Sequence, residues 1–386
     1  AAAYLNGERK LTALFTPTAA RSLEGFTTTR NRVLLSVLDN VAGRVQEWRA
    51  EGSKWAPREV EAPFPGTLGV QSLHDPLLGT RDPLAEQYLL TYADFLTPDS
   101  LMLGSAGIDE RETLKSRPRF FDSAGMRVEQ RFAKSKDGTQ VPYFIVWPKD
   151  AKADGNNPTL LYGYGGFEVA QQPWYSGAFG SAWYAQGGVL VVANIRGGGE
   201  FGPAWHQAAV GANKQKSYDD FIAVAQDLID AGITSARHLG IEGGSNGGLL
   251  VGAVMLQAPE LFNAVVCQVP LLDMQRYHKL LAGASWMAEY GDPDKADEWA
   301  VIQKYSPYQN VRKEMKLPKV LFTTSTRDDR VHPGHARKMA ARMAEQGHAL
   351  LYYENIEGGH GGAADNKQRA DMMALEFSFL WQQLAR

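Results

Sequence analysis

Two rhythms of hydrophobic and polar positions run along this chain, and the change between them falls near residue 118. From Tyr4 to about Leu114, short β-rich runs (Arg32 to Leu38, Arg44 to Trp48, Leu68 to Leu73, Glu86 to Tyr92, Ser100 to Leu103) alternate with turn signals. The separators are Asp39-Asn40, Glu51-Gly52, Pro63-Phe64-Pro65-Gly66 and Thr97-Pro98-Asp99, and Ala1 to Leu5 leads into strand-like sequence. Short strands at near-regular spacing predict an antiparallel, all-β architecture, either propeller blades or a sandwich. The stretch is too short to reveal a repeat period that would choose between them. Val128 to Phe132 and Val141 to Val146 then flank Lys136-Asp137-Gly138 and predict a hairpin. After Trp147-Pro148 the strands become continuously apolar: Thr159 to Tyr162, Gly188 to Asn194, His238 to Glu242, Ala264 to Val269, Lys319 to Thr324 and Leu350 to Tyr353. Helical patterns separate them at Ser217 to Asp230, Gly247 to Gln257, Gly334 to Gln346 and Lys367 to Leu384. Apolar strands between helices predict a doubly wound, mostly parallel α/β sheet from about residue 119 to the end.

One turn in that second region carries candidate chemistry. Gly243-Gly244-Ser245-Asn246-Gly247 joins a predicted strand to a predicted helix, with glycines on both sides of the serine. A turn this tight leaves no room for flanking β-carbons, and it thrusts the serine out beside a helix N-terminus that can stabilise an oxyanion. The five-residue pattern alone is weak in a chain with 39 glycines. Two further loops strengthen it. Asp328-Asp329-Arg330 follows the predicted strand at 319–324, and His360, within Gly358-Gly359-His360-Gly361-Gly362, follows the last one. In an open parallel sheet, ligands meet such strand-end loops. A histidine can take the serine proton near neutral pH, and a carboxylate can fix its tautomer. The order Ser, Asp, His is that of α/β-hydrolases; spacing does not decide between Asp328 and Asp329.

Composition narrows the alternatives without adding a function. A formal charge of -3 with no block of like charge gives no case for nucleic acid or an anionic membrane. No apolar run approaches the ~18 residues of a membrane span. A single cysteine, Cys267, in the strand-like Ala264 to Val269, excludes an internal disulfide and reads as a core thiol. His332, His335 and His348 read as surface or capping residues, and no zinc-hydrolase histidine spacing exists. Gly197-Gly198-Gly199-Glu200-Phe201-Gly202 fits a dinucleotide fingerprint, but Pro203 interrupts it and Asp219-Asp220 opens a helix instead of ending a strand. It reads as a shaped loop near the catalytic edge. No cofactor and no metal are expected.

Taken together, Leu161 to Phe167, Asn194 to Glu200, Gly243 to Gly248, Asp328 to Val331 and Gly359 to Gly361 closely resemble the prolyl oligopeptidase family. The resemblance covers essentially everything from residue 119 on. It implies an α/β-hydrolase catalytic domain at 119–386, preceded at 1–118 by the last blades of a β-propeller. Family chains are nearly twice as long, so this one looks like a C-terminal portion whose missing N-terminal region would be its partner. Carried over by motif, Ser245 is the nucleophile, Asp328 the orienting acid and His360 the base. The oxyanion would be held by the Tyr164 hydroxyl and the Asn246 backbone N–H, and Arg330 would hold the carbonyl before proline. Trp286 would stack on the proline ring, with Phe167, Leu271 and Tyr290 as neighbouring walls; a flat ring without an N–H suits an aromatic slot.

The implied activity is a serine endopeptidase cleaving short peptides after proline through an acyl-enzyme. Oligopeptidase B-like cleavage after Arg or Lys is the nearest alternative, since Glu289 lies close to Trp286 in sequence. A general carboxylesterase would need neither Arg330 nor the β-rich region. Expected partners are short proline-containing peptides, with no nucleic acid and no membrane. The complete protein is expected to be a monomer, located in the cytoplasm or alternatively the periplasm.

Overall fold

The computed structural model describes residues 2–9, 11–52, 54–61 and 66–385. It divides into two compact units, one of residues 1–117 with Gln172–Trp174, the other of Pro118–Gln171 with Tyr175–Arg386.

The first unit is all β apart from short turns. β1 (Arg21–Thr28), β2 (Arg32–Asp39), β3 (Ala42–Glu51) and β4 (Lys54–Val60) form one antiparallel meander. β5 (Thr67–Ser72), β6 (Gln87–Ala93), β7 (Ser100–Ser105) and β8 (Arg111–Ser116) form a second. Leu34, Val45, Val60, Tyr88 and Leu90 make a shared apolar core. Three of the eight strands escape the hydrophobic pattern: β1, β4 and β8 are largely polar at the surface, with β8 exposed along nearly its whole length. Ala2–Leu5 is a single helical turn, and the first strand begins only at Arg21. The separator Pro63-Phe64-Pro65 lies outside the described residues.

The second unit is built on an eight-stranded sheet. Its strands are β9 (Arg127–Lys134), β10 (Gln140–Trp147), β11 (Thr159–Tyr162), β12 (Val189–Ala193), β13 (Leu239–Gly244), β14 (Ala264–Gln268), β15 (Lys319–Ser325) and β16 (Leu350–Asn355). Their order is β16-β15-β14-β13-β11-β12-β10-β9. β9 and β10 pair antiparallel, β10 joins β12 antiparallel, and the remaining pairings are parallel. Four long helices pack around it: α1 (Gln215–Asp230), α2 (Asn246–Gln257), α3 (Gly334–Glu345) and α4 (Asn366–Leu384). Their burial follows their composition. Helix α1 hides Tyr218, Phe221, Val224, Ala225 and Leu228, at three- and four-residue spacing, whereas α2 is buried on almost every side. No helix among the described residues is long and apolar enough to cross a membrane.

Chain order decides where a site can form. From β11 the chain passes to β12 on one side and then crosses to β13 on the other. The loops leaving β11 and β13 therefore diverge and open a crevice between them at the carboxyl edge, where ligands bind in open α/β sheets.

Candidate active site

Ser245 stands at that crevice. Its backbone adopts φ 59° and ψ -116°, a sparsely populated region for a residue with a side chain. Packing enforces this conformation. A β-carbon on Gly243 would lie 2.3 Å from the Gly247 carbonyl oxygen, and one on Gly247 would lie 2.7 Å from that of Gly163. The Ser245 N–H donates to the Gln268 carbonyl at 2.9 Å, tying the turn to β14. Although Ser245 occupies the N-cap position of α2, its side chain caps nothing. Its hydroxyl is thus available, as are first-turn N–H groups that have no partner within the helix.

Across the crevice, Tyr164 follows β11. Its hydroxyl lies beside that of Ser245, and burial, reinforced by the charge of Glu289, raises its pKa against opposing effects of Arg330 and Ser245. The phenol therefore remains a neutral donor. Asn246 fixes the turn that bears it: the buried Asn246 amide donates to the Tyr164 carbonyl at 2.5 Å and accepts from the Tyr290 hydroxyl at 2.6 Å.

Asp328 and His360 arrive from the next two strand ends. Asp328 is buried; its Oδ1 accepts from the N–H groups of Arg330 and Val331, both at 2.9 Å. Its Oδ2 meets His360 Nδ1 at 2.8 Å. A carboxylate only accepts, so this contact places the ring proton on Nδ1 and leaves Nε2 with its lone pair. Asp329, by contrast, is exposed. The choice that spacing left open is made by which side chain turns inward. The Asn355 side chain shapes the histidine loop by accepting from Glu357 and Gly358 N–H groups, while the Ser325 hydroxyl donates to the Gly358 carbonyl. Among the described residues, His360 Nδ1 meets Asp328, and no hydrogen bond joins its Nε2 to Ser245 Oγ. Such contacts are often long before substrate binds.

The aromatic residues near this edge form two layers. Phe167 and Trp286 are half-buried, with Phe167 meeting Tyr290 edge-on at 5.7 Å. Tyr290 and Leu271 are buried in the core behind them. Arg330 is exposed, and its carbonyl accepts from Ala282 N–H at 3.4 Å, linking its loop to the segment that carries Trp286.

Glu289 does not face an open pocket. It is buried, receiving Lys214 Nζ at 2.8 Å and His206 Nε2 at 2.7 Å. Burial opposes its charge, but these two donors outweigh it and its pKa falls below the ordinary carboxylate value. Burial also lowers the Lys214 pKa, which Glu289 only partly offsets. The two shifts pull against each other because the carboxylate has two donor neighbours and the lysine one anionic neighbour; with the Gly165 carbonyl also accepting from Nζ at 2.9 Å, an ammonium fits the geometry. This cluster braces the Tyr164 turn, and sequence reasoning missed it, since nothing local marks Lys214 or His206.

Other sequence readings are settled nearby. The 197–202 glycines form a loop against the Tyr164 turn, where a β-carbon on Gly197 would lie 2.4 Å from the Gly165 carbonyl, and Asp220 lies inside α1, paired with Arg196. Cys267 is a buried thiol donating to the Gly248 carbonyl, its pKa raised by burial. His332 accepts from Gly334 N–H at the start of α3, a capping contact. His335 is neither surface nor cap: it is 1% exposed, accepts from Leu272 and Asp273 N–H groups, and burial depresses its pKa to about 4. One trio of potential metal ligands, His278, Asp292 and Asp294, brings its ligand atoms within 4.8 Å of one another. Lys279 already pairs with Asp294 at 2.9 Å and supplies the charge a cation would bring.

The chain is similar to several known proteins. A model of the prolyl oligopeptidase family matches residues 175–386. An uncharacterized peptidase of Sinorhizobium fredii is 48% identical over 371 residues, covering 96% of this chain and 50% of that protein. A prolyl endopeptidase of Elizabethkingia miricola is 36% identical over 326 residues, covering 82% and 45%. Among solved structures, a post-proline cleaving enzyme from Rickettsia typhi superposes with a TM-score of 0.89 at 40% identity, covering 98% of this chain and 54% of that one. The chain spans about half the length of the curated relatives it matches.

Proposed function

Because the chain belongs to the prolyl oligopeptidase family, we propose that it carries the catalytic portion of a serine endopeptidase that cleaves short peptides on the carboxyl side of proline. Ser245 Oγ attacks the scissile carbonyl carbon and passes its proton to His360 Nε2 as the ring closes onto it with substrate bound. The Nδ1–H bond to Asp328 holds the tautomer this transfer needs and stabilises the imidazolium. The oxyanion is met by the Tyr164 hydroxyl and the Asn246 N–H. His360 returns the proton to the departing amine, and water then releases the acyl group by the same route. Arg330 holds the carbonyl before proline, and the proline ring lies against Trp286 and Phe167, backed by Tyr290 and Leu271.

The observation that carries this reading is the Asp328–His360 hydrogen bond, made at the sheet edge that also bears a serine in a strained turn. The engagement of Glu289 by Lys214 and His206 supports proline over arginine at the cleaved position, because the one buried acid near Trp286 is already neutralised. Short, soluble proline peptides are the proposed substrates, and the N-terminal region of a longer protein the proposed partner. The test is covalent: a prolyl phosphonate should label Ser245, and paired peptides should be cleaved after proline well ahead of arginine. Labelling elsewhere would remove the nucleophile assignment, while preference for arginine would favour the oligopeptidase B-like alternative.

A further inference from the structure

Behind the serine turn, on the face of the sheet away from the reaction, two acids are buried together. Glu242 lies on β13, three residues before Ser245; Glu376 lies on α4; they are 8% and 4% exposed. Strand register explains their meeting. Residues two apart on a strand share a face, so Gly240, Glu242 and Gly244 point one way. A β-carbon on Gly240 would touch Leu384 and Leu380, which identifies that face as the one α4 covers. Gly244 is registered with Gln268 on β14, and Gln268 with Thr323 on β15. Glu376 reaches down to this row, where its Oε1 accepts from Gln268 Nε2 at 2.8 Å and from the Thr323 hydroxyl at 3.2 Å. Gln268 is also the residue whose carbonyl holds the Ser245 N–H. One residue, Gln268, therefore joins a buried acid through its side chain to the serine turn through its backbone carbonyl.

The charge balance of this pocket is unusual. The groups facing the two carboxyls are Tyr162 from β11, in register with Glu242, then Gln268, Thr323 and each other. No lysine, arginine or histidine acts on either among the described residues. Two adjacent carboxylates without a cation cannot both be ionised at neutral pH. Burial raises the Glu242 pKa, with Glu376 adding to it, and burial raises that of Glu376 against the pull of its two donors.

We propose that Glu376 is a positioning residue for the nucleophile and keeps the Ser245 turn in register through Gln268. This rests on the reading of Ser245 as the nucleophile. While one of the two carboxyls is protonated, Glu376 anchors the Gln268 amide and β14 presents its carbonyl to Ser245. Once both ionise at alkaline pH, like charges in one dry pocket oppose the packing of α4 on the strands, and the serine turn loosens.

Glu376→Ala and Glu376→Gln in the full chain test this, read by hydrogen exchange of residues 243–249 and by the pH profile of Ser245 labelling with a phosphonate. Glu376→Ala should speed exchange at the turn about tenfold, the equivalent of one lost buried hydrogen bond. Glu376→Gln preserves shape and an acceptor for Gln268; it should keep near-wild-type protection at neutral pH and abolish the alkaline fall in labelling. Unchanged protection in Glu376→Ala, or an alkaline fall that persists in Glu376→Gln, overturns the proposal. Should the alanine variant not fold, the glutamine profile decides alone. If exchange responds as expected while wild-type Ser245 takes no label, the tie from Glu376 to the turn is supported and the nucleophile reading is what fails.

Discussion

Replacing Gly247 with alanine sets two opposite effects against each other at one atom. Gly247 lies in the first turn of α2 with an ordinary helical φ, so backbone preference alone favours alanine by about 0.8–1 kcal/mol. The added β-carbon, however, would sit 2.7 Å from the Gly163 carbonyl oxygen, about 0.7 Å inside ordinary contact. The obstacle is backbone, so no side-chain rotation relieves it. Overpacking of this kind costs about 1–3 kcal/mol, which outweighs the helical gain. The strain also has a direction. Gly163 precedes Tyr164, and the shift must open the gap between the β11 loop and the serine turn, carrying the phenol away from Ser245. Misplacement on the scale of 1 Å costs on the order of 10²-fold in turnover. Gly247→Ala should therefore melt no higher than the parent and lose about two orders of magnitude in kcat on a proline chromogenic peptide, with KM much less affected. A variant that is both more stable and fully active would show that the tight turn is not what sets the Tyr164–Ser245 geometry.

Two other expectations follow from single contacts. Tyr164→Phe removes the proposed oxyanion donor and should lower kcat by roughly 10²–10³, about 2.7–4 kcal/mol, with KM little changed; steady-state kinetics showing an unaltered kcat would take Tyr164 out of the oxyanion site. For His335, the native state refuses a proton that the unfolded chain binds below its ordinary pKa of 6.5. Its contribution is intact above pH 6.5 and is lost as pH falls toward 4, a span worth roughly 3 kcal/mol. His335→Asn keeps an acceptor for the two N–H groups and should flatten the dependence of urea midpoint on pH in that window; an unchanged slope would place the acid sensitivity elsewhere.

Relations among neighbours in sequence were the legible ones. Strand periodicity placed all eight strands of the large sheet and its four long helices within a few residues: the inner strands are apolar runs buried on both faces, and the edge strand β9 was marked by its hairpin turn. In the first unit the same reasoning lost β1, β4 and β8, whose polar surfaces leave no hydrophobic rhythm to follow. The serine turn was readable from its glycines because backbone contacts forbid β-carbons there: Gly243 is hemmed in by Gly247 within the turn, and Gly247 by Gly163 across the crevice. The family's motifs pointed to Asp328, and burial gives the physical reason: Asp328 turns inward to three donors while Asp329 meets solvent.

What the chain alone determined was the elements of the large sheet, their order and the residue types waiting at each strand end, all products of short-range sterics and alternation. Tertiary structure decided which side chains meet. Lys214 finds Glu289 from 75 positions away, Gln268 finds Glu376 from 108, and His335 is drawn into the core, although nothing around any of them in sequence announces it. The reason is that such pairings depend on the lateral order of strands and the helix laid over them. That order emerges only when the whole apolar surface is buried at once.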